Sequence, residues 1–564
     1  MVKRVREDDA GIHEPAQKRL RPASIDRISR LSDELILRVL SYLPVSQLAV
    51  CQRLSHKYQA LAGDSQLWKE QYYNRFVRPR ASRLPGLKEA GTSDGRLSFA
   101  SKASRWLEDE HLVDRRVKTN WKRQYKLRHN WSNGSCAVSE IEVAEQAAVP
   151  PILVQMHDGV IYMADHVDGL RAWSAKGERQ MVAHCELRGS LPAPPTSLAI
   201  DPDATTDGVA RVIIGFEDGA FSVYDLNKPE ARFVRRYSHE PSTNGVVSAV
   251  ALSWPYAVSM TATQLLSLYR FDQSCDDSHS EGLLDPPRLL HSLKSCTVWP
   301  PLSTSLRTSA SSITISVAYA LPTYLSGWTV GIQEVKVSPA GDLLESRLAS
   351  AIDQHYRPLA FSAPPTMHHL SPSTSVSFAT SASLELRHIH SKPTSLSYTH
   401  PYLLVSHPDN TLTLYLVTST ADSLAISGGS RLWGHTSSVS GAHVGGRGKA
   451  VSVSRRGDEL RVWELEGGFA SSTARKRLAT GDLSVQIRPE GTAASTQEIT
   501  QAGLDLVNRP LSPRTPGPTC TTRPADGTSE LTLTRGWIGF DEENVVVLKE
   551  QSHGRQALVV YDFS

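Results

Sequence analysis

Apolar residues recur every three or four positions through the first part of the chain and alternate in short runs thereafter, which predicts helices followed by strands. Ile28 to Phe76 reads ISRLSDELILRVLSYLPVSQLAVCQRLSHKYQALAGDSQLWKEQYYNRF. Leu35, Ile36, Val39, Leu40 and Leu43 fall on one helical face. Ser32 is placed to cap that helix, Asp33 and Glu34 put negative charge in its first turn, and Pro44 stops it. Ser46 is expected to cap a second helix bearing Leu48, Cys51 and Leu54. A third spans Ser55 to Ala62 with Gly63 as its stop, and Asp64 or Ser65 opens a fourth bearing Leu67 and Trp68. A unit of about fifty residues buries too little surface to be more than marginal alone. Its apolar residues occupy more than one face, so a stripe is left for a partner; a plain helical hairpin packed on the rest of the chain is the alternative.

Residues 78–95 form a loop rich in Arg, Pro, Gly and Ser, and helical segments are expected at Phe99–Leu112 and Val113–His129. From Gly134 onward the texture is short β-rich runs broken by Asp-Gly, Asn and Pro. Five segments share a hairpin that ends near an aromatic, namely Trp173, Tyr224, Tyr269, Tyr415 and Trp463. Successive spacings of 51, 45 and 48 residues separate the first three and the last two, and 146 residues between Tyr269 and Tyr415 leave room for one or two more units. Residues 313–337 should form one, and 536–563 close the chain. The final unit shows three strands, so Ser135–Val143 is expected beside Ala557–Phe563 as its fourth, removing an exposed edge. Insertions are expected near 273–290 and 471–530.

Leu31-Ser-Asp-Glu-Leu35, Leu40-Ser-Tyr-Leu-Pro44, Leu48 and Asp64-Ser-Gln-Leu-Trp68, in that order, resemble the F-box. Ser32 stands where that family usually has proline, Arg53-Leu54 where Val-Cys is common, and Tyr58 where tryptophan is frequent. The resemblance implies binding to the Skp adaptor of cullin–RING ubiquitin ligases through Leu31, Leu35, Ile36, Val39, Leu40, Leu43, Pro44, Leu48, Leu54, Leu67 and Trp68. Trp121, Tyr125, Asn130, Trp131 and Gly134 are similar to the helical linker that follows F-boxes in related subunits, where the aromatics pack between domains. The β-rich units resemble a WD-repeat propeller, here counted as seven blades with 340–395 ambiguous. Gly434-His435 ahead of Trp463-Glu464 is the clearest repeat. In that family a buried His, Ser/Thr, Asp and Trp share hydrogen bonds; with Arg456 at the position of the Asp, the network is expected to be incomplete, and Phe216-Glu217-Asp218-Gly219 to be a nearer match. The implied fold is therefore multidomain: a small all-α F-box (28–77), a loop and helical linker (78–133), and an all-β propeller (134–564).

With 61 basic and 58 acidic side chains the net charge is only +3, so no general affinity for nucleic acid or membrane follows. No apolar run approaches the ~18 residues a membrane span requires. The six cysteines are scattered without a CxxC pair, which fits a reducing compartment and excludes a zinc knuckle. Residues 1–27 are polar and expected to be disordered. Lys3, Arg4 and Arg6, then Lys18, Arg19 and Arg21, resemble a bipartite nuclear import signal, giving nucleus and/or cytoplasm as the location; a solvated basic tail is the alternative. Ser512-Pro513 and Thr515-Pro516 are candidate phosphorylation sites. No GxSxG, HExxH or metal-spaced His/Asp cluster is present. Gly445-Gly-Arg-Gly448-Lys449 lacks the first glycine and the Ser/Thr of a phosphate loop and reads as a blade turn.

No catalytic residue, metal or cofactor is expected. A propeller enzyme with an accidental F-box finds no motif in its favour, which leaves two main functions open. One is the substrate-recognition subunit of a Skp–cullin–F-box ligase whose propeller presents a protein target, with Arg455 and Arg456 facing a phosphorylated or acidic segment. The other is an F-box/propeller scaffold acting outside a ligase.

Overall fold

The computed structural model describes residues 28, 30–77, 119–177, 179–187, 193–202, 209–272, 284–295, 298–323, 327–351, 391–446, 448–457, 459–465, 484–489, 531–551 and 554–564. The expected helix at Phe99–Leu112, the basic tail, Ser512 and Thr515 all lie outside these. The chain divides into two compact units, residues 1–82 with 94–125 and residues 83–93 with 126–564.

The first unit is helical: α1 (Asp33–Leu40), α2 (Val45–Cys51), α3 (His56–Ala62) and α4 (Ser65–Tyr72), the last widening into a π-type turn at Tyr73–Val77. Ser32 precedes α1 in an extended conformation, but its hydroxyl makes no capping bond. The cap of α2 is Pro44 and not Ser46. Its ring holds φ near the helical value, and its carbonyl accepts the N–H groups of Gln47 and Leu48. Ser55 and Asp64 cap α3 and α4 by accepting the N–H of Tyr58 and of Gln66.

Ile36, Leu40, Leu48, Ala62 and Leu67 form the centre of this unit. Trp68, Tyr72 and Val77 form a second cluster with Trp121 and Tyr125 of α5 (Trp121–Asn133). Trp68 donates its indole N–H to the Ala62 carbonyl (2.8 Å), and the Arg75 guanidinium donates to the Tyr125 hydroxyl (2.7 Å).

The second unit is a ring of seven sheets. Blade 1 holds strands Leu153–His157, Val160–Asp165, Gly169–Ser174 and Met181–Cys185. Blade 2 holds Pro195–Ile200, Ala210–Phe216, Phe221–Asn227 and Arg232–Ser238. Blade 3 holds Val247–Ser253, Tyr256–Thr261, Leu265–Arg270 and Arg288–Lys294. Blade 4 holds Trp299–Thr308, Ile313–Thr323, Gly327–Val337 and Leu343–Ser350. In blade 5, Ser395–Thr399, Tyr402–Ser406 and Leu412–Ser419 are followed by two short strands that pair in turn with the third. Blade 6 holds Val439–Val444, Lys449–Ser454, Leu460–Glu464 and Ser484–Gln486.

Blade 7 is built from both ends of this unit. Leu531–Phe540, Asn544–Gln551 and Gln556–Asp562 are joined on the outside by Ser135–Ala144. The pairing runs antiparallel from Ala137 opposite Asp562 to Glu142 opposite Ala557, as the strand count of the final unit required. Arg488–Pro489 then pairs in parallel with Ser135–Cys136 as a further strand. The stretches 340–395 and 471–530 need redrawing, because outer strands occupy part of each: Leu343–Ser350 in the first and Ser484–Gln486 in the second. Similarly, Arg288 starts an outer strand inside 273–290.

Seven apolar clusters fill the seven gaps between neighbouring blades. At ~25 cal/mol per Å² of apolar surface removed from water, these gaps supply the main stabilisation of the ring. The last four residues of α5 and the propeller are tied by Trp131, which stacks on Phe563 at 4.0 Å and 10° and donates its indole N–H to the Glu542 carbonyl. The Lys449 ammonium lies 3.8 Å over the same indole.

Candidate functional site: an exposed apolar face and a braced propeller

The eleven F-box residues separate into two sets. Ile36 and Leu40 are 1% and 2% exposed, and Leu48, Leu67 and Trp68 are also buried. These form the interior, and Leu43 is half-buried against them. Leu35 and Val39, by contrast, are 54% and 51% exposed, with Leu31, Pro44 and Leu54 also at the surface. On α1, positions 36 and 40 share one side of the helix, while 35 and 39 share the side about 100° away, and the other helices cover the first.

Three further apolar residues extend the outer set. Tyr42 is 72% exposed, and Ile28 and Val50 are exposed as well. The Arg38 guanidinium lies 5.1 Å over the Tyr42 ring. Tyr42 was legible in principle, since it continues the spacing of Leu35 and Val39. An exposed apolar patch on a small domain marks an interaction surface.

In the propeller, Arg455 and Arg456 are exposed in the turn between the second and third strands of blade 6. The buried network of that blade draws its carboxylate from a residue other than position 456, while His435 Nδ1 makes no hydrogen bond to that carboxylate, so the network stays partial as expected. His435 Nε2 lies 2.6 Å from Ser452 Oγ, which also accepts the Trp463 indole N–H at 2.8 Å. The carboxylate comes from Glu459, three residues beyond Arg456. Glu459 Oε2 accepts the N–H and hydroxyl of Thr436 and lies 3.4 Å from His435 Nδ1. Burial pushes the Glu459 carboxyl up, yet the Thr436 N–H, the Arg461 guanidinium and His435 outweigh it and hold the carboxyl below its usual range. The change of position arises because the turn carries the arginine side chains outward and the carboxylate enters at the start of the next strand.

The nearer match expected in blade 2 is not such a network. Asp218 accepts the N–H of Ala220 within its own exposed turn. A second partial network occurs in blade 5, where His407 Nε2 lies 2.8 Å from Thr413 Oγ1. Gly445–Lys449 is a tight turn closed by the Gly445 N–H on the Lys449 carbonyl. Among the described residues no three His, Cys, Asp or Glu side chains gather as a metal site requires, and no described helix is long and apolar enough to cross a membrane.

A small helical unit with an F-box pattern, followed by a seven-bladed propeller whose last blade is completed by its first strand, defines an F-box/propeller protein. The chain belongs to the family described as the F-box protein pof12 β-propeller, whose family model matches residues 136–564; an F-box-like model matches residues 28–74. An F-box protein of Saccharomyces cerevisiae is 31% identical over 123 residues, covering 21% of this chain and 19% of that protein. The F-box protein dre-1 of Caenorhabditis elegans is 37% identical over 51 residues, covering 9% of this chain and 5% of that protein. The chain thus spans a fifth or less of the curated relatives it matches. Among solved structures, Saccharomyces cerevisiae Sqt1 superposes with a TM-score of 0.36 at 9% identity, over 76% of this chain and 99% of that one.

Proposed function

We propose that this chain is the substrate-recognition subunit of a Skp–cullin–F-box ubiquitin ligase and has no catalytic role of its own. The observation that carries the reading is the set of apolar side chains left outside the helical core: Leu31, Leu35, Val39, Tyr42, Val50 and Leu54. Covering one such side chain fully is worth roughly 1.5–3 kcal/mol, so several together support a stable complex with a Skp-type adaptor. The propeller then holds a protein target, and the ligase acts by raising the effective concentration of that target's lysines near the activated carrier. Exposed Arg455 and Arg456 suit an acidic or phosphorylated segment of the target. The paired basic clusters at Lys3–Arg6 and Lys18–Arg21 support entry to the nucleus, and neutralising both sets should shift a fluorescent fusion to the cytoplasm.

The test is co-purification of the full chain with a Skp-type adaptor and its cullin. Leu35→Asp with Val39→Asp should abolish recovery of both while leaving the circular dichroism spectrum unchanged, because neither side chain is part of the core. Undiminished recovery would refute the assignment of this face. Deleting residues 28–76 should then lengthen the half-life of the proteins that the propeller captures. If their half-lives do not change, the chain does not act in degradation.

A further inference from the structure

The outer strand of blade 4 differs from those of blades 2 and 3. Leu343–Ser350 reads LLESRLAS and is bonded on one side only among the described residues, to Gly327–Val337. Leu344 and Leu348 are 57% and 55% exposed, and Leu343 is exposed beside them. Natural sheet edges are guarded by charge, because an open edge templates pairing with another strand. The outer strand of blade 2 follows this rule with Arg232, Arg235 and Arg236 and no acid, and that of blade 3 carries Arg288 and Lys294 and no acid. Either would set cation against cation if it met its own copy. Blade 4 has instead leucine and a balanced Glu-Arg pair.

Its sequence is complementary to itself. In an antiparallel pairing about a two-fold axis at Ser346, Leu344 falls opposite Leu348, Glu345 opposite Arg347, and Ser346 opposite its own counterpart. The backbone register supports this reading. Ser346 is paired with Val335 and Leu348 with Gln333, so both side chains project from one face of the blade. The ladder is regular from Glu345 to Ser350, with its shift at Leu344. On the other face Arg347 is held by Glu334 at 2.7 Å and by Glu345 at 3.3 Å and also donates to the Thr420 carbonyl and Ser419 hydroxyl of blade 5, while Glu345 meets Lys336 at 3.3 Å. The charges on that face are thus neutralised within each copy, and a second copy would bring no like charge against them. The ring itself shows that an outer strand accepts another, since Ser135–Ala144 of blade 7 takes up Arg488–Pro489.

We propose that two copies of this chain associate through Leu343–Ser350, joining their fourth blades into one continuous antiparallel sheet across a two-fold axis. A second copy is the occupant because self-pairing about Ser346 sets leucine against leucine and no like charge against another, as an isologous interface demands. Two leucines per copy and a short ladder make a small contact, so half-association is expected on the order of tens of micromolar.

Light scattering on the full chain should show the mass rising from 61.9 kDa toward twice that value as concentration increases. Leu344→Lys with Leu348→Lys should weaken association at least about tenfold, by setting charge into the apolar contact, without moving the melting temperature. Ser346→Cys, a conservative change at an exposed site, should give a covalent dimer on mild oxidation much faster than Ser350→Cys, which the two-fold axis does not place opposite itself. A constant monomer mass, a dimer indifferent to the two lysines, or equal cross-linking at 346 and 350 would each overturn the proposal.

Discussion

The helical unit and the propeller handle the same problem in opposite ways. The helical unit covers Ile36, Leu40 and Leu48 and leaves Leu35, Val39 and Tyr42 outside. In the propeller, every blade has an apolar neighbour on each side, so the large apolar surfaces of the sheets are consumed within the ring. The difference is one of size and closure. A few short helices cannot wrap their own apolar residues, whereas a closed ring has no terminal blade left uncovered. Incomplete burial in the first unit is what the proposed adaptor contact uses, whereas in the second the apolar residues left exposed lie outside the gaps between blades, as Leu344 and Leu348 do.

Substitutions that break this contrast should have graded effects. Trp463, fully buried at the blade 5–6 gap and bonded to Ser452, should cost about 3–5 kcal/mol when changed to alanine, read as a fall in the propeller's unfolding temperature. Leu40→Ala should cost about 2–5 kcal/mol and lower adaptor binding by unfolding the helical unit, which limited proteolysis would detect.

Acid should act on the propeller next. Burial lowers the imidazoles of His407 and His443 to about 4. Their folded values lie below the usual 6.5, so the neutral forms are favoured by folding. Their stabilisation is full above pH 6.5 and is lost as pH falls from there through 4. At about 1.4 kcal/mol for each tenfold change in proton affinity, each imidazole contributes on the order of 3 kcal/mol. The melting temperature should therefore be level above neutrality and fall steeply below pH 6, and His407→Gln should flatten that slope. A slope unchanged by the substitution would reject the attribution.

Smaller effects follow from the network around Glu459. Glu459→Ala removes the acceptor of the Thr436 N–H and hydroxyl and should cost about 0.5–1.5 kcal/mol in thermal unfolding, since exposed Thr436 can turn to water. Arg456→Ala should cost under ~0.5 kcal/mol, since its side chain is exposed. Leu35→Ala or Val39→Ala should also move stability by about 0.5 kcal/mol or less while weakening adaptor binding, the sharpest form of the contrast.

Much of this was legible along the chain. Period-3.6 spacing placed α1, and turn chemistry at Ser55 and Asp64 placed the starts of α3 and α4, because caps and helix faces depend on residues within one or two turns. The recurring hairpins gave the ring, and the missing fourth strand of the last blade correctly pointed to Ser135–Val143. Pairing rules there are general enough to reach across the whole propeller.

What the pattern did not separate was inside from outside on α1, nor Glu459 from Arg456. Adjacent apolar positions 35 and 36 are equivalent to a periodicity count, and only the packing of α2 to α4 chose which of them to cover. Likewise, a fixed offset named position 456 for the carboxylate, but the path of one turn delivered it from 459. Linear order carries the local propensities and the repeat. Which side chain of two neighbours is buried depends on residues far along the chain, and so was settled only when the elements came together.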